Sequence, residues 1–207
     1  MVLKNTQELL LNVATELFYK KGYSGTSIRD VGIKAKMSNS LLYHYFKNKE
    51  EMLFQVISST SQDLIDVLRE IDQRITDPLE CLKEMLYEHV VGFGLKRRKE
   101  SKIVVEEHYW LTGRRKEAVA KYERQIYDIY SKKLQQIAET GQLNDLNVTV
   151  LTFSIFGIIN WFYKWYREGG RLSPPDVANT LLELLLHGMI RPRVTDTVGG
   201  QNDERKP

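Results

Sequence analysis

Apolar residues recur at helical spacing along nearly the whole chain, and no stretch alternates as a half-buried strand does. Residues 5 to 21 show the first stripe, formed by Leu9, Leu10, Val13, Ala14, Leu17 and Phe18. Further stripes predict helices starting at Lys49 and Asp77-Pro78 and others over residues 101–111, 114–140, 145–168 and 174–190. The chain is therefore predicted to be all-α.

Two short helices joined by a tight turn are predicted after residue 26. Ser27 and Asp30 form a capping-box-like start for the first helix, and Lys36-Met37 breaks it. Ser38 is a good N-cap for the second. The pair is short enough to pack over the apolar stripe of residues 5–21, which predicts a three-helix N-terminal unit.

The second of these helices has two faces. Leu42 and Phe46 point inward at i, i+4. The residues left facing outward are Asn39, Ser40, Tyr43 and His44. Small and amide side chains at the start of such a helix can reach base edges in the major groove, and a tyrosine hydroxyl or a lysine can hold phosphates. A DNA-recognition helix is one interpretation; a solvated surface helix is the other.

The charge distribution adds to the first interpretation. The chain has a formal net charge of +3, and residues 1–60 contain eight Lys or Arg against five Asp or Glu. Between residues 27 and 49 five basic residues face Asp30 alone, namely Arg29, Lys34, Lys36, Lys47 and Lys49. Such residues can replace counterions on the DNA backbone, although a solvated lysine-rich helix pair has the same composition.

Residues 22–31, GYSGTSIRDV, and residues 42–50, LYHYFKNKE, resemble the signature of the TetR family of bacterial repressors. The resemblance implies a helix-turn-helix DNA-binding domain over residues 1–48 (the head) and a helical ligand-binding and dimerisation domain over residues 49–190 (the body). Lys36 stands where the family usually has Gly in the turn, Ser40 where Gly is common and Leu41 where Thr is common. The expected DNA contacts are Ser27, Arg29, Ser38, Asn39, Ser40, Tyr43, His44, Lys47 and Lys49.

The helices predicted over 145–168 and 174–190 carry more apolar surface than one core needs. Val150, Phe153 and Gly157 mark one face of the first, and Leu151 and Ile155 belong to another. We therefore expect both helices to form a two-fold homodimer interface, which would place two recognition helices about one DNA turn apart on a near-palindromic operator. The polar tail 191–207 is expected to be disordered.

Residues 160–174, NWFYKWYREGGRLSP, resemble a segment of those TetR-type regulators that respond to acyl-CoA thioesters of lipid, sterol or aromatic-acid breakdown. The resemblance implies a hydrophobic effector that releases DNA, without a cofactor. The candidate effector-binding residues are Trp110, Phe156, Asn160, Trp161, Lys164, Trp165, Arg167 and Arg171. Core or dimer packing by the aromatics, with cations at a helix C-terminus, is an equally open interpretation.

Several other functions are disfavoured. The GxSxG, GxGxxG, P-loop and HExxH patterns of common enzyme classes are absent, so neither turnover nor an acyl-thioester enzyme is expected. His89 and His108 lie beside glutamates, but neighbouring helical residues diverge by about 100° and no metal site is predicted. One cysteine, Cys81, and no apolar run of about eighteen residues fit a cytoplasmic protein without a membrane span. An architectural DNA-binding dimer without effector remains the alternative to a regulator.

Overall fold

The computed structural model describes the backbone of residues 2–167 and 169–190, and the side chains in those ranges except 2–5, 162 and 163. The predicted disordered tail, residues 191–207, lies outside the described residues. The α-helices are α1 (Val2–Lys21), α2 (Ile28–Ala35), α3 (Asn39–Tyr45), α4 (Lys49–Arg74), α5 (Pro78–Glu88), α6 (Arg98–Glu107), α7 (Gly113–Glu139), α8 (Val148–Ile159), α9 (Phe162–Trp165) and α10 (Pro174–Met189). A π-helical segment (His89–Leu95) extends α5, and a 3-10 turn (His108–Trp110) follows α6. The all-α prediction is confirmed.

Local hydrogen bonds fix where the helices of the head begin. The Ser27 hydroxyl accepts from the Asp30 amide, and the Asp30 carboxylate accepts from the Ser27 amide, which completes the predicted capping box. Ser38 caps α3 by accepting from the Leu41 amide at 3.2 Å. These hydrogen bonds pair amide groups that a helix start leaves without an intrahelical partner.

The turn between α2 and α3 is tight. Lys36 adopts the left-handed conformation with φ 57°, and its amide reaches the carbonyls of Gly32 and Ile33. A Cβ atom at Gly32 would lie 3.2 Å from the side-chain oxygen of Asn39 and 3.5 Å from a methyl of Leu42. Glycine at position 32 therefore lets α3 pack closely on α2, while the turn itself tolerates a lysine at some conformational cost.

The hydrophobic core of the head is completed by helices of the body. Leu10, Phe18, Leu42 and Phe46 are buried together as the stripes predicted. The same cluster contains four residues of α4 and three residues from further along the chain: Met52, Leu53, Val56, Ile57, Ile103, Leu111 and Val119. The packing unit therefore continues past residue 48, where we placed the domain boundary.

The body surrounds a second core built from α4, α5, the π-helical segment, α7, α8 and α10. Tyr130 of α7 lies at its centre with no exposed surface. Among the described residues, no helix is long and apolar enough to cross a membrane.

The prediction of one helix over residues 145–168 is wrong. The helix α8 ends at Ile159, where the Asn160 amide bonds to the Phe156 carbonyl and the chain turns before the short α9. The run contains Gly157, but the helix continues through it, and no glycine or proline marks the stop at Asn160. For the same reason the single helix predicted over 101–111 is an α-helix from Arg98 followed by a 3-10 turn.

Candidate functional site

One exposed surface of the head is formed by the first turns of α3. Asn39, Ser40, Tyr43 and His44 are all exposed, and 56% of Tyr43 is accessible. Leu42, between them, has no exposed surface. The structure thus places the predicted recognition residues on one open face, held in position by the buried face of the same helix.

A concave surface of about 580 Å³ adjoins this face where α2 and α4 begin and α3 ends. Its lining includes Ser27, Tyr43, Lys47 and Lys49 from the predicted set. The Ser27 hydroxyl is already engaged, because it donates to the Asp30 carboxylate at 2.7 Å, and these hydrogen bonds hold the pKa of Asp30 below its usual value. Tyr43 and Lys47 remain exposed, as do Arg29 on α2 and Ser38, whose oxygen caps α3.

Lys49 has a different environment from Lys47. Its ammonium donates to the carbonyls of Tyr23 and Thr26, each at 2.7 Å, and lies 4.0 Å from the centre of the Tyr23 ring. Partial burial lowers the pKa of Lys49. Two of its three protons are therefore used to hold the loop between α1 and α2 against α4.

The head meets the body mainly through α6. The Glu107 carboxylate accepts from the Tyr23 amide at 3.2 Å, and the Lys102 ammonium donates to the Tyr19 carbonyl at 3.3 Å. Trp110, in the 3-10 turn, stacks at a tilt on Tyr23 with ring centroids 5.7 Å apart. Trp110 thus belongs to this head–body joint.

A polar contact within the body lies beside this joint. Glu50, at the start of α4, accepts from the Thr112 amide at 2.8 Å and pairs with Arg115 at 3.0 Å. Burial alone would raise the pKa of Glu50, but the Thr112 hydrogen bonds and the Arg115 charge outweigh it and lower the pKa. The entry to α4 is therefore fixed to the start of α7.

The body contains a cavity of about 690 Å³ between α4, the π-helical segment, α6, α7 and α8. Much of its wall is apolar or aromatic, formed by Val104, Val105, Ile126, Tyr127, Phe153 and Phe156. Ser61, His89, His108 and Asn160 add polar groups, and the exposed Glu123 and Arg124 contribute charges at its edge. A largely apolar wall with a few polar groups is the usual composition of a small-molecule site.

Two of the eight predicted effector residues, Phe156 and Asn160, line this cavity. Lys164 lies 3.3 Å from Glu106, the residue after Val105, and its ammonium lies 4.6 Å from the Trp161 ring centre. Trp161 and Trp165 are 59% and 48% exposed, and Arg167 and Arg171 are also exposed. The structure therefore brings part of the predicted set together and leaves the rest on the outer surface.

Most residues of the cavity lining were not predicted from the sequence. Ser61, Val104, His89 and Tyr127 lie on separate helices, and each stands in an ordinary helical pattern. The sequence does contain a feature that could have indicated His89, because this residue begins an apolar stretch with two glycines. That stretch forms the π-helical segment, and π-helical turns are often found at functional sites. Within the described residues, no group of three acidic, histidine or cysteine side chains is arranged to hold a metal.

An exposed helix-turn-helix face joined to a helical body with a cavity defines the class of DNA-binding regulators that respond to a ligand. Residues 10–56 match the family model of bacterial regulatory proteins of the tetR family, and residues 76–189 match the tetracyclin repressor-like C-terminal domain. The chain belongs to the TetR family, as its motifs predicted. Its family and relatives are transcriptional regulators and not enzymes, so that prediction is confirmed.

Several relatives align over most of their length. The HTH-type transcriptional repressor KstR2 of Rhodococcus jostii (strain RHA1) is 26% identical over 194 residues, which cover 88% of this chain and 90% of that protein. The structure of the ketosteroid transcriptional regulator KstR2 of Mycobacterium tuberculosis gives a TM-score of 0.84 at 25% identity, covering 90% of this chain and 95% of that chain. The crystal structure of AibR in complex with isovaleryl coenzyme A and operator DNA gives a TM-score of 0.80 at 27% identity. The match covers 86% of this chain and 97% of that chain. TetR regulators bind operator DNA as dimers and bind small-molecule effectors, and they need no cofactor.

Proposed function

We propose that this chain is a cytoplasmic repressor that binds a near-palindromic operator as a homodimer and is released by an acyl-CoA thioester in the cavity of the body. The observation that supports it most directly is the position of α6. Val104 and Val105 lie against the cavity, while Ile103 is buried in the core of the head. One helix therefore contacts both the effector site and the DNA-binding unit.

The proposed DNA contacts divide into two groups. Asn39, Ser40 and His44 read base edges from α3, since their side chains are exposed on its first turns. Tyr43 and Lys47 hold phosphates at the concave surface, and Arg29 and Ser38 hold phosphates from exposed positions on α2 and before α3. Ser27 and Lys49 act mainly on the structure of the head, because their polar groups already bond within it.

The proposed dimer interface uses α8 and α10. In a single chain Val150, Phe153 and Leu184 are 63%, 62% and 64% exposed, which is unusual for large apolar side chains. A Cβ atom added at Gly157 would meet no atom within 4 Å. Space beside an exposed apolar face suits close approach by a second copy of the chain.

Gly157→Leu tests this interface. The isolated chain has room for the new side chain, so only a partner should be displaced, and light scattering should then report monomers. Glu117→Leu places the same side chain on an exposed position of α7 and should leave the dimer intact. A dimeric Gly157→Leu protein would exclude this face of α8 from the interface.

An acyl-CoA effector is supported by four observations. The cavity wall is suited to an acyl group, and the cations Lys164, Arg167 and Arg171 lie on exposed positions after α8, where phosphates can reach them. AibR, similar over most of its length, was solved with isovaleryl coenzyme A and operator DNA. Trp161 and Trp165 offer exposed faces for stacking on an adenine.

Release requires that the effector bind one arrangement of the heads more tightly than the other. A shift of α6 caused by a ligand against Val104 and Val105 would act on Tyr19 and Tyr23, which bond to Lys102 and Glu107 at the head–body joint. Since α1 packs on α2 and α3 packs on α2, the recognition helix would move with them. The spacing of the two heads on DNA would change.

The deciding experiment is a titration of the DNA upstream of the protein's own gene with and without acyl-CoA thioesters and the matching free acids. Release by one thioester, and not by its free acid, is the expected result. Specific binding that no thioester weakens would discard the acyl-CoA effector. Equal affinity for upstream and random DNA would favour the architectural alternative.

A further inference from the structure

His89 begins the π-helical segment and lines the cavity, although only 8% of it is exposed. Its Nδ1 lies 3.1 Å from the Tyr130 hydroxyl oxygen. The Tyr130 hydroxyl in turn donates to the Met85 carbonyl at 3.2 Å. The three groups form a chain of hydrogen bonds that ends at one nitrogen of the imidazole.

Both contacts of the Tyr130 hydroxyl can be hydrogen bonds at the same time in only one tautomer of the His89 ring. A tyrosine hydroxyl has one proton, and that of Tyr130 is used on Met85. The contact with His89 is therefore satisfied only if Nδ1–H donates and the tyrosine oxygen accepts. A neutral imidazole has one N–H, so Nε2 is left as an acceptor. Burial lowers the pKa of His89 to about 4, which keeps the ring neutral near pH 7.

The free acceptor faces the cavity side of the ring. Nδ1 binds Tyr130, which lies in the core behind the wall, and no group among the described residues bonds to Nε2. Ser61 of α4 lines the same cavity, is 5% exposed, and its hydroxyl also has no partner within the described part of the chain. Both residues line the cavity, so a polar atom there without a protein partner offers a hydrogen bond that can orient a ligand.

We propose that the effector carries a hydroxyl or amide N–H group that donates to His89 Nε2, with Ser61 as an adjoining hydrogen-bonding group. The lone pair of Nε2 repels a carboxylate, so an anionic end of the ligand does not bind at this position. The donor is either a hydroxyl on the acyl chain or an amide N–H of the pantetheine arm. This inference rests on the proposed effector function and specifies the chemistry of its ligand.

Phenol and anisole test the acceptor directly on the full-length protein. The two molecules have similar rings, but only phenol can donate a hydrogen bond. Nitrogen NMR of protein labelled at its four histidines should show one Nδ1–H tautomer, assigned by its loss in His89→Asn. Phenol should shift the Nε2 signal of that ring and anisole should not. An Nε2–H tautomer, equal shifts with both probes, or no shift with phenol would overturn the proposal.

Tyr130→Phe separates hydrogen bonding from packing. Tyr130 is a positioning residue, and the variant leaves the cavity wall unchanged while removing the acceptor for Nδ1–H. The Nε2–H tautomer should then gain population, and the shift caused by phenol should shrink. A folded Tyr130→Phe protein with the wild-type nitrogen spectrum would contradict the role assigned to Tyr130.

Hexanoyl-CoA and β-hydroxyhexanoyl-CoA distinguish the two sources of the donor. If the acyl hydroxyl donates, the hydroxylated thioester should bind about tenfold more tightly, and His89→Asn should abolish the difference. If the pantetheine arm donates, both thioesters should lose about tenfold in His89→Asn. Wild-type affinity of both in His89→Asn would overturn the proposal. A phenol-responsive Nε2 together with no binding of either thioester would instead discard the acyl-CoA effector alone.

Discussion

The polar side chains of the head and of the body differ in their hydrogen bonding. In the head and at the start of α4, Ser27, Asp30, Ser38 and Lys49 all bond to neighbouring backbone groups. In the body, the cavity wall includes His89, whose Nε2 has no partner within the described residues. These polar groups at the head are therefore hydrogen-bonded within the protein and hold its surface in a fixed arrangement. The body, in contrast, leaves a hydrogen-bond acceptor in the cavity wall that a ligand can use.

Two phenylalanines show a similar contrast. Phe46 of the head has no exposed surface, while Phe153 of α8 is 62% exposed and lies 5.3 Å from the Tyr127 ring centre. Exposed apolar side chains occur in both units, since Ile33 of the head is 68% exposed. The contrast is therefore between the core position of Phe46 and the proposed dimer face that carries Phe153.

Phe46→Ala should have the largest effect, because deleting a fully buried phenylalanine costs about 3–5 kcal/mol. Phe153→Ala should cost far less in the monomer and should instead weaken association. Urea unfolding at low and high protein concentration measures the stability of the single chain and the contribution of dimer association. If Phe153→Ala were as destabilising as Phe46→Ala at every concentration, Phe153 would belong to the core of one chain and the contrast would fail.

Acid should destabilise the body through His89. Its pKa is about 4 in the folded protein against an ordinary value of 6.5, so the unfolded chain binds the proton first. The contribution of His89 to the free energy of unfolding is therefore fully present above about pH 6.5. It falls by up to about 1.4 kcal/mol per pH unit as the pH drops towards 4. Urea midpoints measured across this range should fall for the wild type and fall less steeply for His89→Asn. Equal slopes would show that His89 is not the group responsible.

Two neighbouring lysines of the head should respond in opposite ways. Lys49→Met should lower the free energy of unfolding by about 1–2 kcal/mol, because the carbonyls of Tyr23 and Thr26 lose their donor. Lys47→Met should leave stability unchanged and reduce the salt dependence of operator binding by about one counterion per subunit, or about two for the dimer. Thermal unfolding and DNA titrations at several salt concentrations distinguish them. If Lys49→Met instead kept the wild-type stability and reduced the salt dependence of DNA binding, Lys49 would be a phosphate contact.

Lys36→Gly should have the smallest effect and should stabilise the head. Glycine removes the steric cost of a left-handed residue, about 1–2 kcal/mol, and adds about 0.5–1 kcal/mol of backbone entropy to the unfolded state. A gain of about 0.5–1 kcal/mol is expected in urea unfolding, with unchanged DNA affinity. Lys34→Gly, in the α-helical part of α2, should be destabilising by contrast.

The sequence predicted the head better than the cavity for a physical reason. The caps at Ser27 and Ser38 join residues three apart, so spacing alone reveals them. The cavity is formed by residues from α4, α6, α7 and α8 that are distant in sequence, and its polar members look like any half-buried position. The break at Asn160 was missed because uniform hydrophobicity hides a helix end, and Trp110 was assigned to the ligand because an aromatic residue fits a pocket or a joint equally well.

The burial of Ile103, Leu111 and Val119 among the side chains of the head has a consequence for how such regulators can be recombined. A gene fusion that joined residues 1–48 to another body would leave the apolar underside of the head without these three side chains. The chimera would be compatible only if its new body offered matching residues at the same places. The head can therefore be transferred to another protein only together with these residues of the body, or with residues that replace them in the shared core.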